Sequence, residues 1–319
     1  MNPRMIVVAL GGNAISVKDE EGNIAQQFAR TRETARHLAE LIVQGHDLIV
    51  THGNGPQVGN VLRRVELSAA EVYPIPLHLC VANTQAGMGF MIAQCLNNEL
   101  RRRGKERITA STIITAVEVD PSDPAFAKPT KPIGKYLKKE EALLLKEQHG
   151  WPMQEFDNEE YRLVVPSPIP RRILPIEMIK RLVDEHELLV CCGGGGIPVW
   201  CDAAGEETGV DCVIDKDRTS ALLATELGLG RFVIATAVEK VMLAYRTPRQ
   251  RPLDRLTIAE ARAYLDAGEF PAGTMGPKIE AAIDFLERTP HPSPVAIITN
   301  LENISGALAG TTGTHLVRA

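Results

Sequence analysis

The chain has 319 residues, 44% of them hydrophobic and 24% charged, which is enough for one large or two smaller domains with a sizeable core. Its formal net charge of −5 repels nucleic acid and anionic lipid and so argues against both as partners. Six cysteines without a C-x-x-C pair and eight histidines without short ligand spacings argue against a disulfide framework or a zinc site, leaving reduced, buried thiols and no side-chain metal site as the expectation.

The N-terminal run MIVVAL is too short for a signal sequence, and no run approaches the roughly 18 apolar residues that a membrane span needs. A soluble, cytoplasmic protein is therefore expected. MIVVAL reads as a strand ending in Gly11 and Gly12, followed by a helix around 29–44. DLIVTH reads as a second strand ending in Gly53, and Pro56 suits the first turn of the next helix. GMGFMIAQCLNNEL reads as a helix whose C-terminus carries Arg101, Arg102, Arg103, Lys105 and Arg107 around a Gly104 cap, although a local anion or subunit contact would use the same charges. ITASTIITAVEV reads as one further strand with a bend.

Residues 120–175 differ in texture: the stretch holds nine of the 21 prolines, eight of them in DPSDPAFAKPTKPIG and VVPSPIPRRILP at its two ends, with the charged helical run KKEEALLLKEQ between. This pattern fits either a protruding lid or an ordinary surface insertion. LLVCC then reads as a strand ending in Gly193 to Gly196. A helix is expected from Thr219 onward with Asp217 near its N-cap, and RFVIATAV as the next strand. LTIAEARAYLDAG is a helix closed by Gly268, GTMGPK feeds another, and PVAIITN and THLVRA close the chain as strands. Strands alternating with helices imply an α/β fold with a mostly parallel sheet covered on both faces.

Four apolar runs or turns thus end in glycine, and strand–glycine–helix junctions point backbone N–H groups at anions. The spacings match neither G-x-x-x-x-G-K-[ST] nor G-x-G-x-x-G, and the H-R-D and D-F-G pair is absent. Lysines accompany the turns at Lys131, Lys216 and Lys278, each beside glycine, proline or aspartate. Phosphoryl transfer is catalysed mainly by positioning and cationic stabilisation, which such lysines could supply. Taken singly, each lysine could equally be a solvated surface residue, and Asp217 a plain helix cap.

The segments VVALGGNA, THGNGPQVG, FAKPTKPIG, CGGGGIPV, VIDKD, GTMGPKIEAAI and AIITNLEN, in order from Val7 to Gly313, resemble the carbamate kinases of the amino-acid kinase family. THGNGPQVG and KPTKPIG are the more specific signatures. The resemblance implies an open three-layer α/β/α sandwich, with an acid-substrate half over 1–200 that includes the 120–175 lid, and a nucleotide half over 201–319. It implies an enzyme, a phosphotransferase with a carboxyl-type acceptor, that moves the ATP γ-phosphoryl group reversibly to carbamate. The implied ligands are carbamate, carbamoyl phosphate, ATP and ADP, with Mg²⁺ carried on the nucleotide, and the implied assembly is a homodimer.

Carried over by position, Lys131, Lys216, Asp217 and Lys278 are the catalytic set. Gly11, Gly12, Asn13, Gly53, Asn54, Gly194 and Gly195 would bind the acid and the phosphoryl group. Ala237, Val238, Tyr245, Met275, Gly276 and Pro277 would form the nucleotide pocket. Departures from the family pattern are Lys135, where proline is common, Thr274 in place of serine, and Thr219 in place of a small apolar residue. His52 reads as a strand-end hydrogen bonder or, more sharply, a substrate contact. Rival readings are another small-acid kinase of the same family, or a nucleotide or carbamoyl-phosphate sensor that has lost turnover. The direction of the reaction in the cell, and its place in arginine or purine breakdown, stay open.

Overall fold

A computed structural model describes residues 4–15, 21–156, 159–271 and 273–319, with backbone alone at Asn13, Gln148 and His149. An eight-stranded sheet forms the middle layer. Its order is β15 (Arg255–Thr257), β17 (Thr314–Val317), β16 (Val295–Thr299), β12 (Arg231–Ala235), β1 (Met5–Leu10), β2 (Asp47–His52), β9 (Leu188–Val190) and β3 (Ala110–Thr112). Every neighbouring pair runs parallel except β16 with β17.

Because the sheet is covered on both faces, its strands are apolar on both faces, and β1 is buried at all six positions. Met5, Val7 and Ala9 join one core with residues of α5 (Ile176–Asp184), α6 (Lys216–Glu226), α7 (Ile258–Asp266) and α8 (Gly276–Arg288). Ile6, Val8 and Leu10 join the other with α1 (Ile24–Val43), α3 (Leu77–Arg102) and α9 (Ile304–Leu308). The strand period of two thus sorts one hexapeptide into two cores and produces the expected α/β/α layering.

ITASTIITAVEV is not one bent strand. It splits into β3 in the large sheet and β4 (Ala116–Glu118) in a four-stranded sheet of order β11 (Glu207–Gly209), β10 (Ile197–Cys201), β4, β8 (Arg172–Ile173). Between them, the amide and carbonyl of Thr115 bond the Gln85 side chain at 2.7 and 3.3 Å, so backbone groups leaving one sheet find a side-chain partner. Residue 200, the last of the expected acid half, falls within β10.

The proline-rich excursion builds its own antiparallel sheet, β5 (Lys131–Leu137), β7 (Tyr161–Val165) and β6 (Met153–Glu155), with α4 (Lys139–His149). It has a small core of Leu137, Ala142 and Leu145, and its root packs on α2 (Gly55–Ser68) through Val58, Ile133, Leu163 and Val165. A β-hairpin of β13 (Val241–Leu243) and β14 (Arg251–Leu253) completes the strands described. The basic run ends α3: Arg103 bonds Glu99 and Glu40 at 3.0 and 2.5 Å, and Gly104 has φ +69°, a structural account that needs no anion. Five cysteines are buried and Cys201 is half-buried, all of them free; burial pushes the thiols of Cys80 and Cys212 up to about 11 and 12. Among the described residues no helix is long and apolar enough to cross a membrane.

Candidate active site

The carboxyl ends of β1, β2, β9 and β12 share one edge of the sheet, where open α/β folds bind ligands. Of the four glycine junctions, only the one after β2 joins a strand directly to an α-helix, α2. After β1 the chain makes a single 3-10 turn over Gly12–Ala14. The Gly193–Gly195 turn leads into β10 instead of a helix, and GTMGPK follows α7 instead of a strand. Gly11 donates its N–H to the Ala235 carbonyl at 2.9 Å, so that group serves the sheet, whereas Gly12 is exposed at the edge.

The three lysines converge. The Lys216 side chain runs over Gly53, within about van der Waals contact of a Cβ built there, and its Nζ pairs with Asp217. Lys278 Nζ bonds the other Asp217 oxygen at 2.7 Å. Lys131, from the first residue of β5, reaches Asp215 at 2.5 Å. Burial pushes Lys216 down to about 8, against the pull of Asp217. Lys278 is half-buried, and although that shielding works against its charge, Asp217 raises its pKa above that of an ordinary lysine. Asp217 is buried and Asp215 half-buried, and this shielding alone would raise both. Lys131 holds Asp215, and Lys216 holds Asp217, below the usual carboxylate range.

Asp215 is the residue that sequence reading missed. It, and not Asp217, caps α6, accepting from the backbone N–H groups of Asp217 at 2.9 Å and Arg218 at 3.4 Å. The helix starts at Lys216, three residues before Thr219, because its polar first turn, Lys216-Asp217-Arg218, hides the start of the apolar spacing. The signal was present: an aspartate directly after the apolar run CVI is an N-cap candidate. A cap at 215 releases the Asp217 carboxylate to bridge two lysines.

Asn54 is buried and donates its side-chain amide to Thr84 Oγ1 at 2.9 Å. The Gly193–Gly196 turn packs against a different element at each residue: His52 and Gln85, Asn54, the Ile214 carbonyl, and Val117 in turn, with a Cβ at any of the four falling under 3.0 Å from one of these groups. Gln85 Nε2 donates to the Gly193 carbonyl at 2.8 Å, and Thr219, the departure from the family pattern, donates its hydroxyl to the Gly195 carbonyl at 2.8 Å. Gly194 and Gly195 therefore have packing duties irrespective of any ligand. Lys135, the other departure inside a lid strand, pairs at the surface with Glu141 at 2.8 Å. Thr274, like Gly273 before it, is exposed.

His52 is fully buried. Its Nδ1 bonds the Gly53 carbonyl at 3.0 Å, its Nε2 has no hydrogen-bond partner, and burial pushes its pKa down to about 4. A neutral imidazole at the strand end fits the structural reading. On the other side of the site, Ala237 and Tyr245 are exposed, Val238, Met275 and Pro277 half-buried, and Gly276 buried at the start of α8. Glu269 accepts from the Ala244 amide at 2.9 Å and ties the Tyr245 loop to the segment leading into GTMGPK. The side chain of Asn13 lies outside the described residues.

Residues 4–298 match the sequence profile of the Amino acid kinase family. The carbamate kinase-like protein YahI of Escherichia coli K12 is 43% identical over 317 residues, and the carbamate kinase of Pyrococcus furiosus 41% identical over 317 residues; each alignment covers 98% of this chain and 99% of the relative. Structures of Giardia lamblia carbamate kinase bound to citric acid and to AMP-PNP superpose with TM-scores of 0.93 and 0.89 at 34% and 35% identity, covering 99% of both chains in each case.

Proposed function

This chain belongs to the amino acid kinase family, and from that premise we propose that it is a carbamate kinase: it transfers the γ-phosphoryl group of ATP reversibly to carbamate, giving carbamoyl phosphate and ADP. The observation that carries the reading is the convergence of Lys131, Lys216 and Lys278 on Asp215 and the buried Asp217, with the Lys216 side chain lying over the Gly53 turn. A sensor has no use for cations that act at the transition state.

Carbamate is already ionised, so its oxygen attacks the γ-phosphorus without a general base. His52, neutral and with Nδ1 engaged, is not asked to take a proton. As the new P–O bond forms, the bond to the β–γ bridging oxygen breaks and its electron pair leaves on ADP. Lys216 meets the charge on the moving group, Lys131 approaches from the lid side, and Lys278 contacts the nucleotide phosphates. Asp217 holds Lys216 and Lys278 apart at fixed positions, and Asp215 does the same for Lys131. Gly12, Asn13, Gly53 and Asn54 border the acid, and Ala237, Val238, Tyr245, Met275 and Pro277 border the nucleotide.

Magnesium enters as part of the nucleotide substrate. Both site aspartates are engaged by lysines, which suits a cation that arrives with the nucleotide. The protein works in the cytoplasm as a homodimer, for which light scattering should return about twice the 34.8 kDa chain mass. The deciding assay is coupled ATP formation from ADP and carbamoyl phosphate. Activity there, and none with acetylglutamate, aspartate or UMP and ATP, is expected; turnover of one of those acceptors alone would replace carbamate, and no turnover of any would favour a sensor.

A further inference from the structure

The lid-side lysine has a positioning device outside the cluster. Gly59 lies in the second turn of α2, and Gly134 lies in β5, three residues beyond Lys131. The two touch backbone to backbone: a Cβ on Gly59 would stand under 3.0 Å from the Gly134 nitrogen and Cα, and 3.1 Å from the Ile133 carbonyl carbon. Gly134 has φ +71° and sits in the register shift of β5 against β7 between Ile133 and Leu137. Its carbonyl accepts from Arg162 Nη2 at 2.7 Å. The Arg162 guanidinium lies 5.0 Å from the Tyr136 ring centroid, and its Nε is buried without a hydrogen-bond partner. An arginine held this way fixes the bulge that brings Gly134 to the helix.

The helix matters because of the residues at its other end. α2 starts at Gly55, directly after Gly53 and Asn54, so one rigid element carries the acid turn and, a turn later, the surface on which the lid strand rests. We propose that Gly59, Gly134 and Arg162 are positioning residues that set the reach of Lys131 over the acid turn. This rests on the carbamate kinase reading. A methyl on Gly59 lifts β5 from α2 by the thickness of the added group and withdraws Lys131 from its place opposite Asp215. Displacements of about 1 Å in a positioned group cost about 10²-fold in rate.

The test is a double-mutant cycle in the ATP-forming direction with wild type, Gly59→Ala, Lys131→Ala and the double variant. Gly59→Ala should lower kcat about 10²-fold, leave the KM for ADP unchanged, and add no further loss in the Lys131→Ala background. An unchanged kcat, or an equal fold loss in both backgrounds, overturns the proposal. Should Gly59→Ala not fold, Arg162→Gln, which leaves α2 intact, takes its place in the cycle. There a loss of about tenfold, partly restored in Arg162→Lys and absent in the Lys131→Ala background, is expected, and wild-type kcat overturns the proposal. Wild-type kcat in Lys131→Ala alone would instead strike the catalytic reading of that lysine, and the positioning device with it.

Discussion

Lys216 combines two properties that are rarely compatible, burial and charge. Burial pushes its pKa down to about 8, and the Asp217 carboxylate keeps it from falling further. Removing it takes away a cation aimed at developing charge, so Lys216→Ala should lower kcat by about 10²-fold or more; near-normal turnover in a coupled assay would sink the assignment. The same group gives the free enzyme an alkaline limb. Below about pH 8 Lys216 carries its proton and its charge, and above it both are lost, so kcat/KM should fall as pH rises through that value. A flat profile between pH 7 and pH 10 contradicts this. Lys131, Lys216 and Lys278 stood out in the sequence beside glycine, proline and aspartate, but singly each could equally have been a solvated surface residue, and only the fold brings the three together. Asp215 did not stand out, because three polar residues in the first turn of α6 displaced the reading of the helix start to Thr219 and moved the cap to Asp217.

Among the elements, the apolar runs were legible and their connections were not. A hexapeptide such as MIVVAL has one physical solution in a sheet covered on both faces. The element that a glycine turn feeds, by contrast, depends on partners far away in sequence. The turn at 193–196 leads to a strand because Gln85, His52, Asn54, Ile214 and Val117 enclose it, and these residues come from four separate segments. Gly194 is one of three positive-φ residues in the turn: φ is +67°, and the space where a Cβ would project holds the Asn54 amide. Gly194→Ala should therefore destabilise the protein by about 2–4 kcal/mol, read as a lower urea midpoint with an unchanged slope. A loss below about 0.5 kcal/mol would mean that Asn54 moves aside freely. The break of ITASTIITAVEV into strands of two sheets escaped for the same reason. Its residues keep strand propensity throughout, and the partners that mark where one sheet is exchanged for another, Gln85, Cys192 and Ile197 around Thr115, lie far away in sequence.

At the scale of the molecule, the site is assembled from the large sheet and from the three-stranded excursion, which are linked through α2. Lys131 is the one lysine of the proposed catalytic set that the excursion contributes. Lys131→Ala should lower kcat while the KM for ADP stays near wild type, since Lys278 and the segment after β12 belong to the other side of the site; unchanged turnover would make the excursion a passive insertion. The composition of residues 120–175 announced a departure from the main body, but the depth to which it returns into the site depends on a contact between two glycines, which composition does not encode. The central sheet has a different consequence. β1 is hydrogen-bonded to β2 on one side and β12 on the other, so the strand ends bearing the turn proposed for the acid and the segment proposed for the nucleotide stand two strand spacings apart, roughly 10 Å. No hinge crosses those ladders. The sheet acts as a ruler for the phosphoryl group's journey, and an inhibitor joining nucleotide to acid will be graded by the length of its bridge.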